Sequence, residues 1–452
     1  MRGLNEDVLR GQAAEYIEVR VEESEHTRLT YRGRHLDEVA RTRGAGGCVR
    51  ALVRGGWGFV SFNDLEGLPG AVALAVEQAR VVGHEESRFA PVEPRVAVVV
   101  PDVGKDPRAI SLAEKKALLD GYLDLILSTP KIAAATLAYT DSYRRVVFAN
   151  SEGAYIEQSR IDVTLGASVQ ARDGADVQQA SLSLGALNDY AFVEALADEL
   201  KGLAEKAVAF LSAPHVKGGE YTVILNPILA GVFCHEAFGH LSEADHISEN
   251  PRLQEIMRLG TRFGERHLNI VDGAAVPGLR GSYAYDDEGT PAQKTDLIRE
   301  GILVGRLHSR ETAARMGERP TGNARALDYR FPPIVRMTNT YIEPGEARLE
   351  DMLEGITEGI YAANWYGGTT TMEQFTFSAG EAYMIRDGRI AELLRPVVLS
   401  GNLFTTLRNI DMVGNDLAMN QGGGCGKGGQ APLPVSNGGP HIRIRNVLVG
   451  GR

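Results

Sequence analysis

The segment Cys234-His235-Glu236-Ala237-Phe238-Gly239-His240 carries the most specific chemistry in this 452-residue chain. Two imidazoles close in sequence can ligate Zn²⁺, and a carboxylate beside the first can take the proton of a zinc-activated water. The familiar His-Glu-x-x-His arrangement places its histidines four apart, on one face of a helix. Here they are five apart. On a regular α-helix residues i and i+4 lie about 40° apart around the axis, whereas i and i+5 lie about 140° apart and cannot face one ion. A π-bulge widens one turn and brings the two rings together, and Gly239 suits such irregular backbone.

A catalytic zinc usually takes three protein ligands and keeps one position open. Cys234, Glu243, Asp245, His246 and Glu249 flank the motif and are potential ligands or bases. Cys234 reads better as a small buried hydrophobe, and His246 as a surface residue. Cys425 is a strong candidate. It sits in GGGCGKGGQ at 422–430, where glycine on both sides lets the backbone approach a metal, and Lys427 is expected to favour the thiolate. The same segment could be a flexible loop or a phosphate cradle, but Lys427 is followed by Gly428 rather than by a hydroxyl residue, which argues against a nucleotide.

The elements that must position these residues belong to an ordinary folded protein: 43% of residues are hydrophobic and 24% charged. A net charge of -11 and the absence of any Lys/Arg run exclude a nucleic-acid footprint. Three scattered cysteines are too few for a disulfide framework, and neither a secretory leader nor an apolar span is expected. A soluble cytoplasmic protein without membrane contact is the expectation.

Strand-like alternation runs from Tyr16 to Phe62, followed by helical stripes at 65–82 and 111–128 around a strand at 95–100. More strand-length runs fill 131–187, and 191–212 is helical. The segment PHVKGGE reads as a boundary near 216. Beyond it, YTVILNP opens with a strand and leads into a helix from about Leu229, and then strands, loops and glycine dominate. The expected class is α+β: a mixed α/β N-terminal domain, 1–215, and a mostly β C-terminal catalytic domain, 216–452, carrying the metal-binding helix. Asp286, Asp287 and Glu288 read as a solvated turn. The stretch 368–375 reads as a strand whose free edge or polar face could hold a peptide backbone.

HEAFGH at 235–240, SYAYDDEGTPAQKTDLIREGILVG at 282–305, TGNARA at 321–326 and the glycine-rich cysteine loop together resemble the TldD/PmbA family of intracellular zinc metallopeptidases, TldD type. The resemblance implies that His235, His240 and Cys425 bind Zn²⁺ and that Glu236 is the general base, which favours Cys425 over the nearer acidic candidates. It also implies a homodimer, or a heterodimer with a PmbA-type subunit, enclosing a chamber that admits unfolded or extended peptides. Two other readings stand beside it: a non-catalytic peptide-binding partner subunit, and a cysteine hydrolase with Cys425 as nucleophile.

Overall fold

In YIEVRVEE, apolar and charged side chains alternate, so a strand made of it shows two chemically different faces. The computed structural model describes Leu9, residues 12–371 and residues 373–451. Its N-terminal half is one sheet of long strands: β1 (Tyr16–Arg32), β2 (His35–Val53), β3 (Gly56–Phe62), β4 (Val96–Val99), β5 (Ile132–Asn150), β6 (Tyr155–Asp173) and β7 (Asp176–Leu187). The order is β3-β2-β1-β5-β6-β4, with β7 also on β6, and only β4 runs parallel to its neighbour.

Both helical stripes read from sequence are present, as Leu68–Val82 and Leu112–Leu127, and the stretch 191–212 forms helices Ala191–Glu194 and Ala197–Phe210. Ile17, Val19 and Val21 pack with Val72, Val76 and Ala79 of the first helix. Leu137, Tyr139, Val163 and Leu165 pack with Leu119, Leu123, Leu200 and Phe210. Each such fully buried aliphatic side chain contributes about 1.5–3 kcal/mol.

The other face of the sheet is charged and equally buried. Glu18, Arg20 and Glu22, which alternate with those aliphatics, are all under 5% exposed because the C-terminal half covers them. The acidic run at 286–288 forms part of that cover, and this corrects the expectation of a solvated turn. Arg50 Nη1 donates to Glu18 at 2.8 Å and Glu288 at 3.0 Å, and Asp287 lies 3.5 Å from Arg20 and 3.6 Å from Arg144. Asp286 accepts the backbone amides of Glu288, Thr290 and Ala324. Such partners offset part of the cost of burying a carboxylate, although burial and the neighbouring Glu288 still push the Asp286 carboxyl well up.

The C-terminal half is β-rich. β8 (Gly219–Leu225) is followed by β9 (Ile270–Gly273), β10 (Lys294–Arg299), β11 (Ile302–Leu303) and a two-stranded ribbon of β12 (Ala324–Arg325) and β13 (Ile334–Val335). Then come β14 (Asn339–Ile342), β15 (Glu358–Thr371), β16 (Gln374–Arg386), β17 (Arg389–Leu394), β18 (Val397–Asn402) and β19 (Ile410–Val413). The last strands are β20 (Ala418–Asn420), β21 (Gly424–Lys427), β22 (Gln430–Pro434), β23 (Ser436–Gly439) and β24 (Ile442–Gly451). Pairing runs β15-β8-β24-β18-β16 and returns to β15, so these five strands close a barrel around Phe233, Phe375 and Phe377. A second sheet, β11-β10-β9-β14-β23-β20, lies beside it.

The stretch 368–375 is the tip of the β15–β16 hairpin, with Thr369 opposite Thr376; its Met372 lies outside the described residues. The mixed α/β class and the β-rich C-terminal region agree with the sequence reading. Among the described residues, no helix is long and apolar enough to cross a membrane.

Candidate metal centre

Asn226 caps the helix Pro227–Cys234 by accepting the Leu229 amide, and Pro227 fits its first turn. The helix then widens. Residues His235–Gly239 form a π-turn, in which the His240 amide donates to the His235 carbonyl five residues back. The two rings come to 5.2 Å between centroids, nearly perpendicular, as the five-residue spacing required. Gly239 serves space rather than backbone freedom: its φ of -58° is ordinary, but a Cβ there would stand 2.1 Å from Met337 Sδ. On the helix before it, a Cβ on Gly231 would meet the Gly438 backbone of β23 at 2.5 Å.

Cys425 reaches the rings on a rigid element, not a flexible loop. β21 and β22 pair antiparallel through Lys427 and Gln430, joined by Gly428 at φ +58° and Gly429 at φ +76°. Two successive positive φ values make a type I′ turn, which glycine adopts without a steric penalty. Buried Arg336 anchors the hairpin by donating to the carbonyls of Cys425 at 2.8 Å and Gln430 at 3.1 Å.

One ligating atom from each of His235, His240 and Cys425 lies within 4.8 Å of the other two. Cys425 Sγ is 3.5 Å from His240 Nε2. Tetrahedral zinc with the usual bond lengths sets its sulfur and nitrogen ligands about 3.6 Å apart, so the pair already has the right span. Among the described residues, Nδ1 of His235 is buried with no hydrogen-bond partner, a cost that an ion bound at that nitrogen would relieve. The donor set and its spacing fit a zinc ion.

Electrostatics prepare the set. Burial alone would push the Cys425 thiol up, but hydrogen bonds and charge from His235 and His240 outweigh it and bring the thiol down to about 5. For His240, burial opposes the charged ring, and Cys425 and Glu243 raise it to about 10. Lys427 acts elsewhere than expected. Its ammonium lies 2.6 Å from Asp245, 2.9 Å from the Val335 carbonyl and 3.1 Å from Glu243, not on the sulfur.

From sequence Glu243 is only a possible ligand or base, and its position gives it another task. Its Oε2 lies 3.0 Å from His240 Nδ1, which fixes the ring and leaves Nε2 toward Cys425. Burial raises the Glu243 carboxyl, yet His240 and Lys427 hold it at about 2. The spacing His-x-x-Glu was the available signal. Glu236 is half-buried on the π-turn next to His235, Cys234 is fully buried, and His246 is exposed.

Family profiles described as PmbA/TldA metallopeptidase domain 1, central domain and C-terminal domain match residues 17–80, 105–213 and 218–451. The chain belongs to the PmbA/TldD metallopeptidase family. A Synechocystis relative named metalloprotease slr0863 is 50% identical over 440 residues, covering 97% of this chain and 95% of its own. A Saccharolobus solfataricus protein named zinc metalloprotease TldD homolog is 38% identical over 325 residues, 71% of this chain and 72% of its own. The fold matches solved PmbA/TldD-like structures, among them TldE from Thermococcus kodakarensis, with a TM-score of 0.74, 20% identity and 97% of each chain covered. Family and relatives' names together support a metal-dependent peptidase.

Proposed function

We propose that this chain is a zinc-dependent peptidase that hydrolyses unfolded or extended peptides, with zinc held by His235, His240 and Cys425. The observation that carries the reading is the π-turn, which turns an unusable five-residue spacing into two converging imidazoles facing a thiolate. The zinc metalloprotease name of the Saccharolobus relative supports the choice of metal. Bound there, zinc supplies Lewis acidity to a water and to the scissile carbonyl. Glu236, adjoining His235, accepts the proton of the attacking water and returns it to the leaving amine. Glu243 holds His240 in register through Nδ1, and Lys427 ties that carboxylate to the cysteine hairpin.

The enzyme works in the cytoplasm as a homodimer or beside a PmbA-type subunit, around a chamber that excludes folded proteins, and its units are 1–215 and 216–452. Metal content by inductively coupled plasma mass spectrometry tests the site: about one zinc per wild-type chain is expected, lost or weakened in His240→Ala and Cys425→Ser. No metal, even after zinc reconstitution, would instead favour the non-catalytic partner subunit.

The lowered Cys425 thiol beside His240 also suits a cysteine nucleophile. Peptide cleavage that survives a chelator but not iodoacetamide would identify that mechanism. It ranks second, because it leaves Glu236 and the orphaned His235 nitrogen without a role.

A further inference from the structure

Between the charged face of the N-terminal sheet and the C-terminal half lies a cavity of about 1050 Å³. Gly422, Gly423 and Gly424 line it on one side and Pro432, Leu433 and Pro434 on another, so its wall ends one residue short of Cys425. Consecutive Cα atoms are about 3.8 Å apart, so the hairpin that carries Cys425 forms one wall of the cavity, although His235, Glu236, His240 and Cys425 do not line it themselves.

Its charges are unevenly paired. Every carboxylate on the wall is already taken. Asp162 binds Arg280 through both oxygens at 2.8 and 2.9 Å, Glu22 binds Arg144 and Asp328 binds Arg330 in the same two-pronged manner, Asp287 faces Arg20 and Arg144 and accepts the Ala326 amide, and Asp286 accepts three backbone amides. Among the described residues, two guanidiniums on the wall have no carboxylate at hydrogen-bond distance. Arg325, 4% exposed, donates only to the carbonyls of Met337 and Pro434. Arg160 donates to the Arg280 carbonyl at 2.5 Å, and its nearest carboxylate oxygen, on Asp162, is 3.8 Å away. Arg160 also stands directly opposite Arg144 in the β5–β6 register. Like charges facing each other across a ladder destabilise a sheet. Burial and the nearby Arg325, Arg280 and Arg144 lower the Arg160 guanidinium to about 10, so it stays charged at neutral pH. A chain of net charge -11 thus keeps two guanidiniums on the wall of this cavity without a carboxylate in direct contact.

We infer that this cavity is a subsite for an anionic group of the peptide substrate, a carboxylate received by Arg160 and Arg325. The carboxylate is either the substrate's C-terminus or an acidic side chain, and both present the same planar oxygens to a guanidinium. The inference deepens the peptidase reading and rests on it for the substrate being a peptide.

Three N-acetylated hexapeptides of one sequence test it by calorimetric titration of the zinc-loaded Glu236→Gln protein: a free C-terminal acid, an amide with an internal glutamate, and an amide with glutamine in its place. At least one acidic peptide is expected to bind about tenfold or more tightly than the neutral one, as a charge-assisted hydrogen bond implies. Which of the two does so identifies the source of the carboxylate. In Glu236→Gln/Arg160→Gln the ratio is expected to fall to about one, and in Glu236→Gln/Arg160→Lys to recover in part. Equal affinities, a preference that survives Arg160→Gln, or no binding of any peptide would overturn the subsite. Zinc content shows that each variant has kept its fold. Cleavage of the same peptides by wild type separates the two ideas: cleavage without carboxylate preference defeats only the subsite, and preference without cleavage defeats only the peptidase.

Discussion

Nδ1 of His240 lies 3.0 Å from Glu243 Oε2, and the opposite nitrogen of the same ring lies 3.5 Å from Cys425 Sγ. One carboxylate therefore sets both the direction and the tautomer of a ring that belongs to another residue's chemistry. Removing the charge while keeping the shape, Glu243→Gln, is expected to weaken zinc about 10–100-fold, the usual effect of losing such a partner. Competition with a zinc chelator reads this directly. An affinity equal to wild type would mean that packing alone orients the ring.

Glu236 has no such supporting task. Glu236→Gln is expected to keep about one zinc per chain and to lose about 10²–10⁴-fold in turnover, the contribution of a positioned acid–base group. Metal content and peptide cleavage are measured on one preparation. Unchanged turnover would remove Glu236 from the mechanism.

Gly231 tests how the metal-binding helix is seated. Alanine is the better helix former by about 1 kcal/mol, so propensity alone predicts stabilisation. Contact predicts the reverse, because the added Cβ would lie 2.5 Å from the Gly438 backbone, which cannot rotate away. Gly231→Ala is expected to destabilise by about 1–3 kcal/mol and to lower zinc affinity as the helix end carrying His235 moves. Thermal melts with and without zinc measure both effects.

The buried interface carries its own pH dependence. Burial pushes the Asp287 carboxyl up, but Arg20 and Arg144 outweigh it and hold it below 3.8. A carboxylate depressed by folding stabilises fully above its unfolded value near 3.8, and that contribution is lost as pH falls through the lower folded value. Asp287→Asn is expected to cost about 3 kcal/mol at pH 7, the usual penalty for removing one member of a buried ion pair. The deficit should shrink as pH falls below about 4. Melting temperatures between pH 3 and pH 7 check this, and a constant deficit would show that lost packing, not charge, is responsible.

What could be read from sequence divides along sequence distance. The long alternating runs announced β1, β5 and β6, and the helical stripes announced their backing helices, because each pattern is local. The π-turn was legible for a sharper reason: two histidines five apart cannot share an ion on a regular helix, so either the turn widens or the motif is idle. Lys427-Gly428-Gly429-Gln430 also held a local signal, since paired glycines suit a type I′ turn, but six glycines in eight residues masked it as a loop. Nothing local could reveal that Asp287 and Glu288 meet Arg20, Arg50 and Arg144. Those partners lie on strands about a third of the chain or more away, and an acidic run before a Gly-Thr-Pro turn otherwise reads as solvated.

Lys427 bridges two segments that lie 182 residues apart, reaching Asp245 from a position two residues beyond Cys425. A clasp of that reach means that the protein itself has closed the long loop between its candidate ligands. The entropy of that closure belongs to the folding of the polypeptide and not to capture of an ion. In small zinc modules the metal is the folding energy, and chelation unravels them. Here the clasp between Lys427 and Asp245 is made by the chain's own side chains, so the loop that joins the candidate ligands is held by protein contacts as well as by any ion placed between them.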